Sequence, residues 1–222
     1  MDTPVKVIDF GFVNAYLLET GDRFVLIDTG IGQQWRRLEN ELRRAGCLPG
    51  KLELVLVTHG DFDHTGNGAR LQREYQAKVA MHRDDVAMVK TGVTTDRQTR
   101  GLAARLLWLA GTVLRRGSPF ATFEPDILLE DGQSLDSYGL KATVYHTPGH
   151  TKGEIAILTS QGQLFTGDTV SNNSGRVAVA PFVDDFAQLR ASVAVLKGMK
   201  AKVVYPGHGK PFGAEALMAV EV

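Results

Sequence analysis

The chain has 222 residues, 43% of them apolar and 23% charged, with 25 basic residues against 25 acidic ones. That length suits one large domain with a sizeable buried core, and the composition is ordinary for a soluble globular protein. The balanced charge excludes the basic footprint of a nucleic-acid or anionic-membrane binder, and the lone Cys47 excludes any intrachain disulfide.

The first thirty residues alternate in strand fashion through "VKVIDFG", "VNAYLLETGD" and "RFVLIDTG", with Gly21 and Asp22 as a hairpin loop. "QQWRRLENELRRAG" then sets Trp35, Leu38 and Leu42 at helical spacing and stops at Gly46; its basic residues alternate with acids and read as a solvated face. "LELVLVTH" suits a short buried strand, so the stretch "VTHGDFDHTGN" falls on the loop at a strand's carboxyl end. "ARLQREYQ" resumes helical character and "KVAMH" is a further short strand.

From Arg83 to Gly117 the pattern turns helical and ends in "LAARLLWLAGTVLRR", apolar over most of its surface. Such a helix needs cover on several sides. It is a core helix, or else a lid or a subunit contact, with a homodimer through Leu102 to Leu114 as one expectation. Strands return in "DILLEDGQSL", "LKATVYHT", "EIAILTS" and "QLFTGDT", followed by a helix around Phe186 to Lys197 and the strand of "KVVYPGH". Strands then helices, twice over, predict two packed sheets with helices outside. We read residues 1–222 as one domain. The N-terminus lacks a basic segment followed by a long apolar run, and no window approaches the roughly 20 apolar residues of a membrane span, so the expectation is a cytoplasmic protein without membrane contact.

Four of the six histidines, His59, His64, His150 and His208, lie at strand-to-loop junctions beside glycines, in "THGDFDH", "TPGHT" and "YPGHG". Asp61, Asp63 and, in "FTGDT", Asp168 lie at similar junctions. Loops at one end of a sheet share a rim, so these seven side chains can converge. Four nitrogen and three oxygen donors suit a borderline or harder divalent ion, and the missing thiolates argue against a closed structural zinc site.

In this order, "NAYLLETGDRFVLIDTG", "THGDFDHTGN", "HTPGHTKGEIAIL", "LFTGDT" and "YPGHG" resemble the metallo-β-lactamase superfamily over nearly the whole chain. The resemblance implies an αββα sandwich, two mixed sheets face to face with helices outside, and a two-metal centre at the sheet edge. Carried over by position, His59, Asp61 and His150 hold the first ion, Asp63, His64 and His208 the second, and Asp168 bridges them. The usual pattern is H-x-H-x-D-H; here Asp61 replaces the middle histidine. An anionic donor there lowers the net charge of the centre and favours a harder metal, so zinc is expected first, with iron or manganese as the options Asp61 opens. The same departure leaves the first site weak or empty as a further option.

The function implied is hydrolysis of a small-molecule ester, thioester or lactone by a metal-bound hydroxide, with Asp63 orienting the nucleophile. No G-x-S-x-G motif points to a serine hydrolase. Little chain follows His208 where glutathione thioesterases of this family carry a binding region, which lowers that expectation. The alternative is a dinuclear iron redox centre of the flavodiiron kind, which Asp61 suggests. Among neighbours, Asp28 in "LIDTG" is expected to hydrogen-bond a ligand or stabilise its turn, His146 to support a metal ligand by hydrogen bonding or to be structural, and His82 to lie at the surface. Nothing in the sequence gives Tyr205 or Lys152 a direction.

Overall fold

The computed structural model describes residues 4–93, 97–99, 101–102, 105–106, 109–110 and 121–222. The first half supplies β1 (Val5–Asp9), β2 (Asn14–Thr20), β3 (Arg23–Ile27), β4 (Leu52–Leu56), β5 (Lys78–His82), a two-residue β6 (Gln98–Thr99) and β7 (Ile127–Leu129). The second supplies β8 (Ala142–His146), β9 (Ile155–Thr159), β10 (Gln163–Phe165), β11 (Ser171–Asn173), β12 (Arg176–Ala178), β13 (Phe182–Val183), β14 (Val203–Tyr205) and β15 (Phe212–Gly213). Helices α1 (Trp35–Arg44), α2 (Phe62–Thr65), α3 (Gly68–Tyr75), α4 (Val86–Thr91) and α5 (Phe186–Gly198) interrupt them.

One sheet runs β1-β2-β3-β4-β5-β7, antiparallel across its first three strands and parallel from β3 onward. The other runs β15-β14-β10-β9-β8 and is also mixed. Successive side chains on a strand face opposite ways, and here both faces are covered. Leu17, Leu26, Val55 and Val79 pack beneath Trp35, Leu38 and Leu42 of α1 and Leu71 and Tyr75 of α3. Their alternates Leu18, Val25, Leu54 and Leu56 meet Val144, Ile155, Ile157 and Phe165 of the second sheet. That sheet's far side, with Ala156, Leu164 and Val204, lies under Leu189, Val193 and Leu196 of α5. The layers are therefore α, β, β, α. Each fully buried Leu, Val or Phe stabilises this arrangement by about 1.5–3 kcal/mol of transfer free energy.

The helical expectation from Arg83 to Gly117 holds in part, since Val86–Thr91 and, among the described residues further on, Gly101, Leu102, Arg105, Leu106, Leu109 and Ala110 are helical, but it is interrupted between them. A short 3-10 turn at Arg83–Asp85 leads into α4, which stops where Gly92 takes a left-handed φ of 71°. Gln98 and Thr99 are then drawn into an antiparallel pair with Val183 and Phe182. That pairing partner lies more than eighty residues away, so no local pattern announces it. The apolar segment expected as a lid or dimer contact lies largely outside the described residues, Trp108 included; within it Leu102, Leu106 and Leu109 are exposed. Among the described residues no helix is long and apolar enough to cross a membrane.

Candidate metal centre

Parallel strands deliver their carboxyl ends to one edge of the sandwich, and the loops leaving β4, β8, β10 and β14 meet there. His59 and Asp61 lie on the loop after β4, and Asp63 and His64 on the short helix α2 that follows it. His150 follows β8, Asp168 follows β10 and His208 follows β14. All seven side chains come together. Three overlapping groups each place their ligand atoms within 4.8 Å of one another: His59, Asp61 and His150; His59, His64 and Asp168; Asp63, His64 and His208. Asp168 joins the two ends, with Oδ2 3.6 Å from His150 Nε2 and 3.0 Å from His208 Nε2, and Oδ1 3.4 Å from His64 Nε2.

The imidazoles are aimed from behind. Asp28 accepts from His64 Nδ1 at 2.8 Å and from both the backbone N–H and the hydroxyl of Thr58. Because the Thr58 hydroxyl donates to Asp28, its oxygen accepts from His59 Nδ1 at 3.0 Å. His150 Nδ1 donates to the Phe182 carbonyl at 3.1 Å, and His208 Nδ1 donates to that of Phe12. In all four rings Nε2 is thus the nitrogen left facing inward, the arrangement that metal-binding histidines use. The Nε2 atoms of His59 and His64 and Oδ1 of Asp168 are buried without a hydrogen-bond partner. Orphaned polar atoms of that kind are costly unless something binds them.

Charge is concentrated here. Burial opposes ionisation of Asp168, but His208 and His64 outweigh it and hold the carboxyl well below the usual range. Burial also works against a charged His208, yet Asp168 pushes its pKa up to about 9. His64 is raised too, since Asp28 and Asp168 overcome its burial. The donor set of His64, His208, Asp63 and Asp168 therefore fits a divalent cation that would replace the protons those histidines hold.

The other end is different. Arg97, 2% exposed, donates from Nη1 and Nη2 to the two carboxylate oxygens of Asp61 at 2.7 Å each, and its Nη1 lies 3.0 Å from His150 Nε2. Burial opposes ionisation of Asp61, and the Arg97 guanidinium overcomes that and holds its carboxyl well below the ordinary range. The His59, Asp61 and His150 side thus already contains a cation. The sequence reading missed Arg97 altogether; the one available signal was that a buried Asp61 needs a counter-charge.

Other supports went unread as well. Asp85 accepts from the backbone N–H groups of Gly60 and Gly153, both at 2.8 Å, and so ties two ligand loops together. Glu154, fully buried, accepts from the Asp168 N–H at 2.6 Å; burial and the nearby Asp168 push its pKa well up. Asn14, at the start of β2, donates to the carbonyls of Pro206 and Gly209 and anchors the His208 loop. Gly207 makes a close approach there, since a Cβ would collide with the Asp168 carboxylate and the His64 ring.

Asp28 takes the expected hydrogen-bonding role, and His146 is structural, its Nε2 donating to the Lys152 carbonyl at 2.8 Å. His82 is not a surface residue. It is 8% exposed and stacked on His146 at 4.0 Å with planes 12° apart. These two rings and Asp84 form a further group of nearby ligand atoms, but the in-plane lone pairs of parallel rings do not converge. Tyr205 packs on Phe165 and Tyr16 in the inter-sheet core.

A family model described as the metallo-beta-lactamase superfamily matches residues 8–208. The chain is 29% identical over 227 residues to Acyl-coenzyme A thioesterase MBLAC2 of Homo sapiens, covering 92% of this chain and 75% of that protein. It is 30% identical over 211 residues to a probable metallo-hydrolase of Methanocaldococcus jannaschii, covering 93% and 92%. Among solved structures, a metallo-beta-lactamase family protein from Thermus thermophilus aligns with a TM-score of 0.73 at 22% identity, covering 96% of this chain and 75% of that one. BJP-1, a subclass B3 metallo-beta-lactamase of Bradyrhizobium japonicum, aligns with a TM-score of 0.70 at 19% identity, covering 93% and 75%. These structural likenesses are likenesses of fold.

Proposed function

The chain belongs to the metallo-β-lactamase superfamily and is a metal-dependent hydrolase, and from that premise we propose that it cleaves a small-molecule acyl thioester. The observation that carries the hydrolytic reading is the set of buried, unpartnered atoms, His59 Nε2, His64 Nε2 and Asp168 Oδ1, facing one another at the sheet edge. The preference for thioesters over esters and lactones is supported by the acyl-coenzyme A thioesterase relatives.

In this reading His64, His208, Asp63 and Asp168 hold the metal, and zinc suits their mixed nitrogen and oxygen donors. A divalent ion bound there would supply Lewis acidity, polarising a carbonyl and lowering the pKa of water to about 7. The remaining work falls to the chain. Asp28 keeps the His64 ring in one tautomer and orientation. Asp63, with Oδ2 3.5 Å from His208 Nε2, would take the proton of the attacking water. It returns that proton to the departing thiolate, whose conjugate acid has a pKa of about 8.5 and needs little assistance to leave. The dinuclear iron alternative gains no support from the relatives, and the Asp61 carboxylate that suggested it is engaged by Arg97.

The test is a substrate panel. Zinc-loaded protein is assayed for thiol release from acyl-coenzyme A esters of several chain lengths, beside matched oxoesters and lactones. We expect kcat/KM for the best thioester to exceed that of its oxoester at least tenfold, with activity lost in chelator and in His208→Ala. Turnover of oxoesters or lactones without thioester cleavage overturns the substrate assignment.

A further inference from the structure

We propose that Arg97 permanently takes the place of the first metal ion, so that this chain binds one metal, at Asp63, His64, Asp168 and His208. The inference rests on reading the site as a metal centre. It begins with the fork of hydrogen bonds from Nη1 and Nη2 of Arg97 to the two oxygens of Asp61, both 2.7 Å. A planar guanidinium matches a carboxylate in this bidentate way and a neutral imidazole does not. Aspartate at position 61 and arginine at position 97 thus form one device.

The guanidinium also uses up a second donor atom of the first site. His150 gives its Nδ1 proton to Phe182, so its Nε2 is an acceptor, and Nη1 of Arg97 lies 3.0 Å from it. Of the three donors on this side, His59 Nε2 alone is left without a hydrogen-bond partner. An ion entering there would have to displace Arg97, and a fully buried cation with no partner is prohibitively costly. The arginine is also held from behind. Asp184 Oδ1 is 3.7 Å from its Nε, and the adjoining Gln98 and Thr99 pair with Val183 and Phe182.

The experiment counts ions in the full chain. Metal-free protein is saturated with zinc, desalted and measured by elemental analysis, and zinc-soaked crystals are mapped by anomalous scattering. We expect one ion per chain and one peak, among Asp63, His64, Asp168 and His208. In the double variant Asp61→His with Arg97→Ala we expect two. Two ions in the unaltered chain, or a peak beside Asp61 and His150, overturns the inference while leaving the metal centre standing. A chain that binds no ion overturns the metal centre and this inference with it. If the double variant fails to fold, the map of the unaltered chain decides.

Discussion

Nδ1 of His64 lies 2.8 Å from Oδ2 of Asp28, a residue held at a backbone φ of 58°. A left-handed conformation is unfavourable for most residues with a Cβ, and Asp and Asn tolerate it best. Here it turns the carboxylate under the loop after β4, where Thr58 and His64 both donate to it. The local strain is thus tied to the aim of one imidazole.

Asp28→Asn keeps the backbone conformation and removes the negative charge behind His64. We expect metal affinity to fall about 10- to 100-fold, the usual effect of losing such a partner, with little change in the unfolding midpoint of the metal-free protein. Chelator competition measures this. An unchanged affinity would show that Asp28 merely stabilises its turn.

Gly207→Ala probes the closest approach in the site. The added methyl meets the Asp168 carboxylate and the His64 ring, so those two side chains must separate. The expected outcome is a metal affinity lowered at least tenfold, read by the same competition.

Metal removal should cost stability by mass action. An ion present at 100 times its Kd stabilises the folded state by about 2.7 kcal/mol, or roughly 5–10 °C in Tm for a chain of this size. Chelator should therefore lower the Tm by that order. In His208→Ala the melting curves with and without zinc should coincide, since the core layers make no use of that side chain.

Cys47 gives a pH-dependent prediction. It is fully buried, and desolvation pushes its thiol up to about 12 from the ordinary 9.0. Tyr75 is likewise raised by burial, to about 12. The folded state therefore keeps protons that the unfolded chain releases, and stability falls as pH rises from about 9 toward 12. At pH 8 a disulfide reagent should leave Cys47 untouched in the native protein and react with it within seconds after denaturation. Rapid labelling of the native protein would contradict this burial.

Much of the fold was legible because strand alternation and helical spacing are local patterns. The hairpin at Gly21 and Asp22, the placement of Leu38 and Leu42 on the buried face of α1, and the helix from Phe186 follow from neighbours a few residues apart. The break at Gly92 and the β6 pairing were not legible, since a strand of two residues exists only where its partner is supplied.

The same division runs through the site. The types of donor and their positions behind strands are properties of short stretches, so the amino-acid order alone determined that His59, Asp61, Asp63, His64, His150, Asp168 and His208 could meet. Tertiary structure decided how their lone pairs are used. Asp28, Thr58 and the carbonyls of Phe12 and Phe182 orient the rings, and Arg97, thirty-six residues from Asp61, claims a carboxylate that would otherwise face a metal. The reason is electrostatic: a buried carboxylate is satisfied by whichever cation packing brings within reach, and no local pattern in the chain names that cation.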